Sequence, residues 1–318
     1  GDGGQGLSNA VPSITPRETG FLDVGAGHSI YWEACGDAQG KPALFLHGGP
    51  GGGCFADHRR LFDPARYNIV LFDQRGCGRS RFVTRCEANT TQDLVDDIER
   101  LRVLLGVEQW ALVLGGSWGA ALGLRYAQLH RARVGALVLR GVFSARKSEV
   151  DWLYQFGASQ MFPEGWRRFQ APVAPERRGD MLRAYHELIW GADEGQRIAA
   201  ARAWCAWEAS LLTMAPRRST YAASDTHVLA LAEIETHYFV NDCFMPDGEL
   251  LRSASVLEGL PGVIVQGRYD MVTPATTAFE LHQAWAGSRL EIVDDAGHAT
   301  MEPGTMRKLI EATDGFGG

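Results

Sequence analysis

No apolar run in this chain approaches the roughly 18 to 20 residues that a helix needs to cross a bilayer, so a spanning helix is excluded. The first residues carry no basic segment followed by an apolar one, and a secretory leader is not expected. Basic residues are the minority: 31 Lys and Arg against 38 Asp and Glu give a formal charge of −7. That argues against a nucleic-acid partner, which calls for a basic face. The six cysteines, Cys35, Cys54, Cys77, Cys86, Cys205 and Cys243, show no C-x-x-C spacing. That argues against a zinc knuckle or a compact disulfide framework and fits a reducing compartment. Charged residues are only 22% of the 318, against 45% apolar, so the chain can bury a large core and disorder is not expected. There is no internal repeat. The expectation is a soluble, cytoplasmic protein with no membrane partner, and Gly1 to Gly6 read as a flexible tail outside the fold.

What is present is an alternation. Short apolar runs bounded by Gly, Pro and Asp read as strands at Ser29 to Ala34, Ala43 to Leu46, Ile69 to Phe72, Ala111 to Leu114 and Ala136 to Leu139. Between them lie helical patterns such as Thr91 to Leu105, where Leu94, Ile98, Leu101 and Leu105 recur at spacings of three and four. Strands alternating with helices predict an α/β fold, a mostly parallel sheet with helices on both faces. The next strong strand, Gly262 to Val265, comes only after a long stretch rich in helix formers and aromatics, Trp152, Trp166, Trp190, Trp204 and Trp207 among them. This stretch reads as an inserted helical cap over residues 144–255, with residues 7–143 and 256–318 forming the other domain. A last strand at Leu290 to Val293 and a closing helix at Gly304 to Thr313 complete the pattern.

The sharpest chemical signal is Gly115-Gly116-Ser117-Trp118-Gly119, between the run Ala111 to Leu114 and the helix-like Ala120 to Gln128. A G-x-S-x-G between strand and helix fits a nucleophile elbow: the serine sits on a strained turn, and small residues two positions away let backbone approach. A serine hydroxyl needs a base to take its proton, and the base needs a carboxylate to hold its tautomer. In such folds the chain order is Ser, then acid, then His. Asp270 follows the strand Gly262 to Gln266, and His298 follows the last strand in Ala296-Gly297-His298. Both fall just past strand ends, where parallel sheets build their sites. Asp294 and Asp295 compete as the acid but lie very close to His298 in sequence; His130 and His282 lie at or in helices. Acyl transfer also needs amide donors for a developing oxyanion. His47-Gly48-Gly49-Pro50-Gly51-Gly52-Gly53, after the strand Ala43 to Leu46, is suited to this. One donor is placed at Gly49, with Gly48 as the near alternative, and the other at Trp118. A phosphate-binding loop is disfavoured because no Lys follows the glycines.

Together these segments resemble the proline iminopeptidases of the α/β-hydrolase superfamily, from about Phe21 to Phe316. The resemblance includes Asp73-Gln74-Arg75-Gly76-Cys77-Gly78-Arg79-Ser80, Asn89-Thr90-Thr91, Asp97 to Arg102, Leu139-Arg140-Gly141, Gly267 to Met271 and Ala296-Gly297-His298. It implies a serine aminopeptidase that removes an N-terminal proline from a small peptide or aminoacyl amide without metal or organic cofactor. It further implies that Glu208 and Glu235 bind the substrate amino group, that Phe143 walls the proline ring and that Arg140 supports the site. The chain departs from similar enzymes at Gln92, where they read Trp, at Leu153, where an aromatic often follows Trp152, at Thr236, often Asn, and at Gln266, often His. Two other readings stand beside this one: a hydrolase or acyltransferase acting on a non-prolyl amide or ester, and a non-catalytic binding protein on the same fold.

Overall fold

Every strand expected from the apolar runs is present in the computed structural model, which describes residues 12–214 and 223–318. Gly1 to Gly6 lie outside the described residues. The strands are β1 (Glu18–Gly25), β2 (His28–Gly36), β3 (Lys41–Leu46), β4 (Tyr67–Phe72), β5 (Leu112–Ser117), β6 (Leu137–Val142), β7 (Gly262–Gly267) and β8 (Ser288–Val293). They form one sheet in the order β1-β2-β4-β3-β5-β6-β7-β8. β1 and β2 pair antiparallel, as do β2 and β4, and every pairing from β4 to β8 is parallel. β1 is the strand that the apolar pattern does not reveal. It is an edge strand, largely exposed, whose backbone pairing with β2 rather than a buried side-chain face holds it in place.

The strands alternate between two cores. Leu44, Leu46, Val113, Leu137 and Leu139 pack to one face with α1 (Thr91–Leu104) and α2 (Trp118–Leu129). Ala43, Phe45, Leu112, Leu114 and Val138 pack to the other. α1 starts at a reciprocal cap: Thr90 Oγ1 accepts from the Asp93 amide at 3.2 Å, and Asp93 Oδ2 accepts from the Thr90 amide at 3.0 Å. Its Leu94, Ile98 and Leu101 are fully buried, as their spacing requires.

Between β6 and β7 the described residues form helices and no strand: α3 (Lys147–Tyr154), α4 (Pro163–Gln170), α5 (Met181–Ile189), α6 (Glu194–Ser210), α7 (Asp225–Val240) and α8 (Glu249–Arg252), with short 3-10 turns. Aromatic stacking centres this insertion, with Tyr154 on Trp204 at 4.0 Å and Phe169 on Tyr185 at 4.4 Å between ring centroids. α9 (Ala275–Ala284) precedes β8, and α10 (Pro303–Phe316) closes the chain, placing Leu309 and Ala312 on the second core. No helix of the described residues is long and apolar enough to cross a membrane.

The sheet order places the site. The chain runs from β3 outward to β4, then returns to β5 on the other side of β3. Loops after β3 and β5 therefore leave in different directions, and the crevice between them is where open parallel sheets bind ligands.

Candidate active site

Ser117 ends β5 and precedes α2 directly, at φ 57° and ψ −121°, a strained backbone for a residue with a side chain. Such strain costs on the order of 1–3 kcal/mol and survives only where packing enforces it. The enforcement is visible at Gly119, where a Cβ would lie 2.1 Å from the Leu46 carbonyl oxygen. α2 thus packs so tightly on the end of β3 that only glycine fits. The glycine loop after β3 closes on the same point: a Cβ on Gly48 would be 3.7 Å from Ser117 Cβ. Among the described residues no backbone carbonyl accepts from the Gly49 amide, and the Trp118 amide lies at the first turn of α2, where N–H groups lack intrahelical partners.

Asp270 and His298 meet across the loops after β7 and β8. His298 Nδ1–H donates to Asp270 Oδ2 at 2.8 Å, and both residues are buried. Asp270 Oδ1 accepts from the amides of Val272 at 2.9 Å and Thr273 at 2.8 Å, while Thr273 Oγ1 donates to Oδ2 at 3.0 Å. Burial pushes this carboxyl up, but the His298 charge and these hydrogen bonds together outweigh it and hold the group below the usual aspartate value. Asp294 and Asp295 are exposed, and Asp294 lies 3.8 Å from Arg268. His130 sits 3.9 Å from Glu99, and His282 Nδ1 is 2.7 Å from Ser288 Oγ, both away from this loop pair. The His298–Asp270 hydrogen bond is formed, and no hydrogen bond joins Ser117 Oγ to His298 in this structure.

Ser117 faces a narrow pocket lined also by Gly49, Phe143, Leu153, Tyr154, Glu208, Glu235, Phe239, Val272 and Thr273. Phe143 and Phe239 meet edge to face at 6.1 Å. α6 delivers Glu208 and α7 delivers Glu235; Trp204 Nε1 donates to Glu235 Oε1 at 3.2 Å, and Tyr154 Oη donates to Glu208 Oε2 at 3.5 Å. Burial pushes both carboxyls up, and the charge of Glu208 raises Glu235 further, well above the ordinary glutamate value. The pair therefore holds less negative charge than two free carboxylates and gains from a cation between them. A separate cleft of about 380 Å³ lies behind Tyr154 and Phe239, lined by Lys147, Asp151 and Arg183 among others, and does not contain Ser117.

Arg140 is not on the pocket wall. Its guanidinium donates to the main-chain carbonyl of His298 and packs against Gly116. No carboxylate lies in ion-pair range among the described residues, and burial lowers its pKa to about 10. Of the departures, Leu153 lines the pocket, while Gln92 is exposed on α1 and bonds Asp96. Thr236 turns away, because one residue along α7 from Glu235 rotates the side chain by about 100°. Its hydroxyl donates to the Ala232 carbonyl and accepts from Trp190. Gln266 Nε2 reaches the Thr273 carbonyl at 2.9 Å and Asp270 Oδ2 at 3.4 Å.

Several contributors carry no functional role in the sequence reading. Thr273 holds the acid, and Gly141, at φ 54°, brings β6 so close to the imidazole that a Cβ would lie 3.0 Å from His298 Nδ1. The amides of His298 and Ala299 both donate to the Leu212 carbonyl, just past α6. Among the described residues no three His, Cys, Asp or Glu side chains converge to hold a metal ion.

The α/β hydrolase fold family model matches residues 41–305. A proline iminopeptidase of Xylella fastidiosa is 47% identical over 98% of this chain and 100% of its own length. The chain belongs to the proline iminopeptidase family. Further proline iminopeptidases, from Arabidopsis thaliana and Neisseria meningitidis, are 46% and 44% identical over 95% and 94% of the chain, and over 80% and 96% of their own lengths. Solved structures share the fold at lower identity. An α/β fold family hydrolase from Bacillus anthracis has a TM-score of 0.62 at 15% identity, covering 94% of this chain and 99% of its own. An esterase from Exiguobacterium antarcticum has a TM-score of 0.59 at 20% identity, with the same coverage. The elbow, the glycine loop and the Asp270–His298 pair of this proline iminopeptidase family member all lie within the matched span.

Proposed function

We propose that this protein is a serine aminopeptidase that releases N-terminal proline from small peptides and aminoacyl amides. The observation that carries the reading is that Ser117 shares one narrow, apolar-walled pocket with half-buried Glu208 and buried Glu235. A hydroxyl beside two carboxylates that favour a cation suits a substrate whose scissile carbonyl lies one carbon from a charged amine. Phe143, Leu153, Phe239 and Val272 give the pyrrolidine ring an apolar wall.

In this mechanism substrate binding brings Ser117 Oγ and His298 Nε2 into line, as catalytic hydrogen bonds tighten in the Michaelis complex. His298 takes the hydroxyl proton as Oγ attacks the carbonyl carbon, and Asp270 stabilises the imidazolium. The Gly49 and Trp118 amides hold the oxyanion. The tetrahedral intermediate collapses, the C–N bond breaks, and His298 gives the proton to the leaving amine. Water, deprotonated by His298, then attacks the prolyl ester and frees proline and Ser117.

The helical insertion, residues 144–255, acts as a substrate-selecting cap that places both glutamates over the serine and closes the pocket to internal peptide bonds. Six buried cysteines, none of them in a disulfide, suit a cytoplasmic setting. The test is a rate comparison on the naphthylamides of proline, alanine and N-blocked proline. The reading expects proline to lead and the blocked substrate to be inert; equal turnover of the blocked substrate would overturn it.

A further inference from the structure

Gln74 lies two residues past β4, is 2% exposed, and touches neither the pocket nor the acid–base pair. Its carboxamide nevertheless joins the two segments that carry the proposed oxyanion donors. Gln74 Oε1 accepts from the Trp118 indole Nε1–H at 3.0 Å, and Gln74 Nε2 donates to the His47 carbonyl at 3.0 Å. The orientation of the amide follows from these partners: reversed, it would set N–H against N–H at Trp118 and oxygen against oxygen at His47.

A third bond extends the arrangement. The Gln74 main-chain amide donates to His47 Nε2 at 2.9 Å and Nδ1 lies 2.9 Å from the Gly48 carbonyl oxygen; these two contacts, shorter than the 3.2 Å approach of the Gly53 amide to Nδ1, favour the imidazole proton on Nδ1. The Gly52 amide donates to the same oxygen at 3.1 Å. The Gly48 carbonyl and the Gly49 N–H belong to one planar peptide unit and point in opposite directions, so fixing the oxygen aims the amide.

We infer that Gln74 is a positioning residue for the oxyanion hole, clamping the Gly49 and Trp118 amides into one fixed pair. The inference rests on the proposed acyl-transfer reading. Donors preorganised toward an oxyanion act on the transition state and little on the bound substrate, so their displacement shows in kcat rather than KM.

Gln74→Met keeps the length of the side chain and removes its hydrogen bonds. On proline naphthylamide, kcat is expected to fall by about tenfold or more with KM changed by less than about threefold. The inhibition constant of a prolyl boronic acid, whose serine adduct is tetrahedral, should rise by the same factor as kcat falls, while that of free proline stays unchanged. A purely structural role would lower the melting temperature without this split. Trp118→Phe, which keeps an aromatic ring against Tyr238, 5.2 Å away edge to face, and the main-chain amide but removes the indole donor, should show the same pattern to a smaller degree, and it decides the matter if Gln74→Met fails to fold. A kcat within about twofold of wild type, or a lost kcat with unchanged boronate affinity, overturns the inference. Ser117→Ala separates the two claims. If it stays active, the acyl-transfer reading falls and this inference with it; if it is dead while Gln74→Met matches wild type, the clamp alone falls.

Discussion

Trp204 donates its indole N–H to Glu235 Oε1 at 3.2 Å, setting one neutral donor against a carboxyl that is 1% exposed and faces a second carboxyl, Glu208. Burial and then the neighbouring charge raise Glu235 well above the ordinary glutamate value. Between the unfolded value, about 4.3, and the raised folded one, the native state binds more protons than the unfolded state. Stability therefore falls as pH rises through that window. Glu235→Gln removes the titration, so its melting temperature should exceed wild type, by more at about pH 8 than at about pH 5. Melting curves at both values check this; a stability deficit that grows with pH would contradict it.

The same substitution should cost activity selectively. A charge-assisted hydrogen bond is worth about 1.5–3 kcal/mol. Glu208→Gln and Glu235→Gln should each lower kcat/KM for proline naphthylamide by about 10- to 100-fold, while turnover of a small activated ester that carries no amino group stays within about threefold of wild type. Steady-state rates on both substrates read the split.

Arg140 spends its half-buried guanidinium on the carbonyl of His298. Arg140→Met leaves that oxygen without its charged donor and frees the loop that aims the imidazole. A misplacement of about 1 Å can cost on the order of 100-fold in rate. A fall in kcat of about tenfold or more is expected, with KM little changed; the reverse pattern would return Arg140 to substrate binding.

The His298 and Ala299 amides both hang from the Leu212 carbonyl, a few residues past Glu208. A ligand that engages Glu208 should steady both segments together. Hydrogen exchange is expected to slow at His298 and Ala299, as well as along the end of α6, when free proline is added. Protection confined to α6 would separate the glutamate from the base.

What the sequence showed and what it hid divide along physical lines. The strand-to-helix turn at Ser117, the glycine loop and the loop positions of Asp270 and His298 were legible because each is a local pattern at a strand end, where a tight turn or close approach restricts residue type. α2 begins directly at Trp118 rather than at Ala120, since a sharp strand-to-helix turn leaves no linker for propensity to read. β1 was hidden because an exposed edge strand lacks the apolar alternation of a buried one. Thr273 and Tyr154 were hidden for another reason: their partners, Asp270 and Glu208, are chosen by packing between elements far apart in the chain. The orientation of Thr236 shows the limit most clearly: it directly follows Glu235 in sequence, yet helix geometry turns its hydroxyl away from the pocket to the Ala232 carbonyl.

The central claim is that Ser117 is the nucleophile. Its most direct measurement is kcat/KM of Ser117→Ala on proline naphthylamide, with folding verified by circular dichroism. A loss of about 10⁴-fold or more is predicted; a folded variant within about tenfold of wild type would contradict the account.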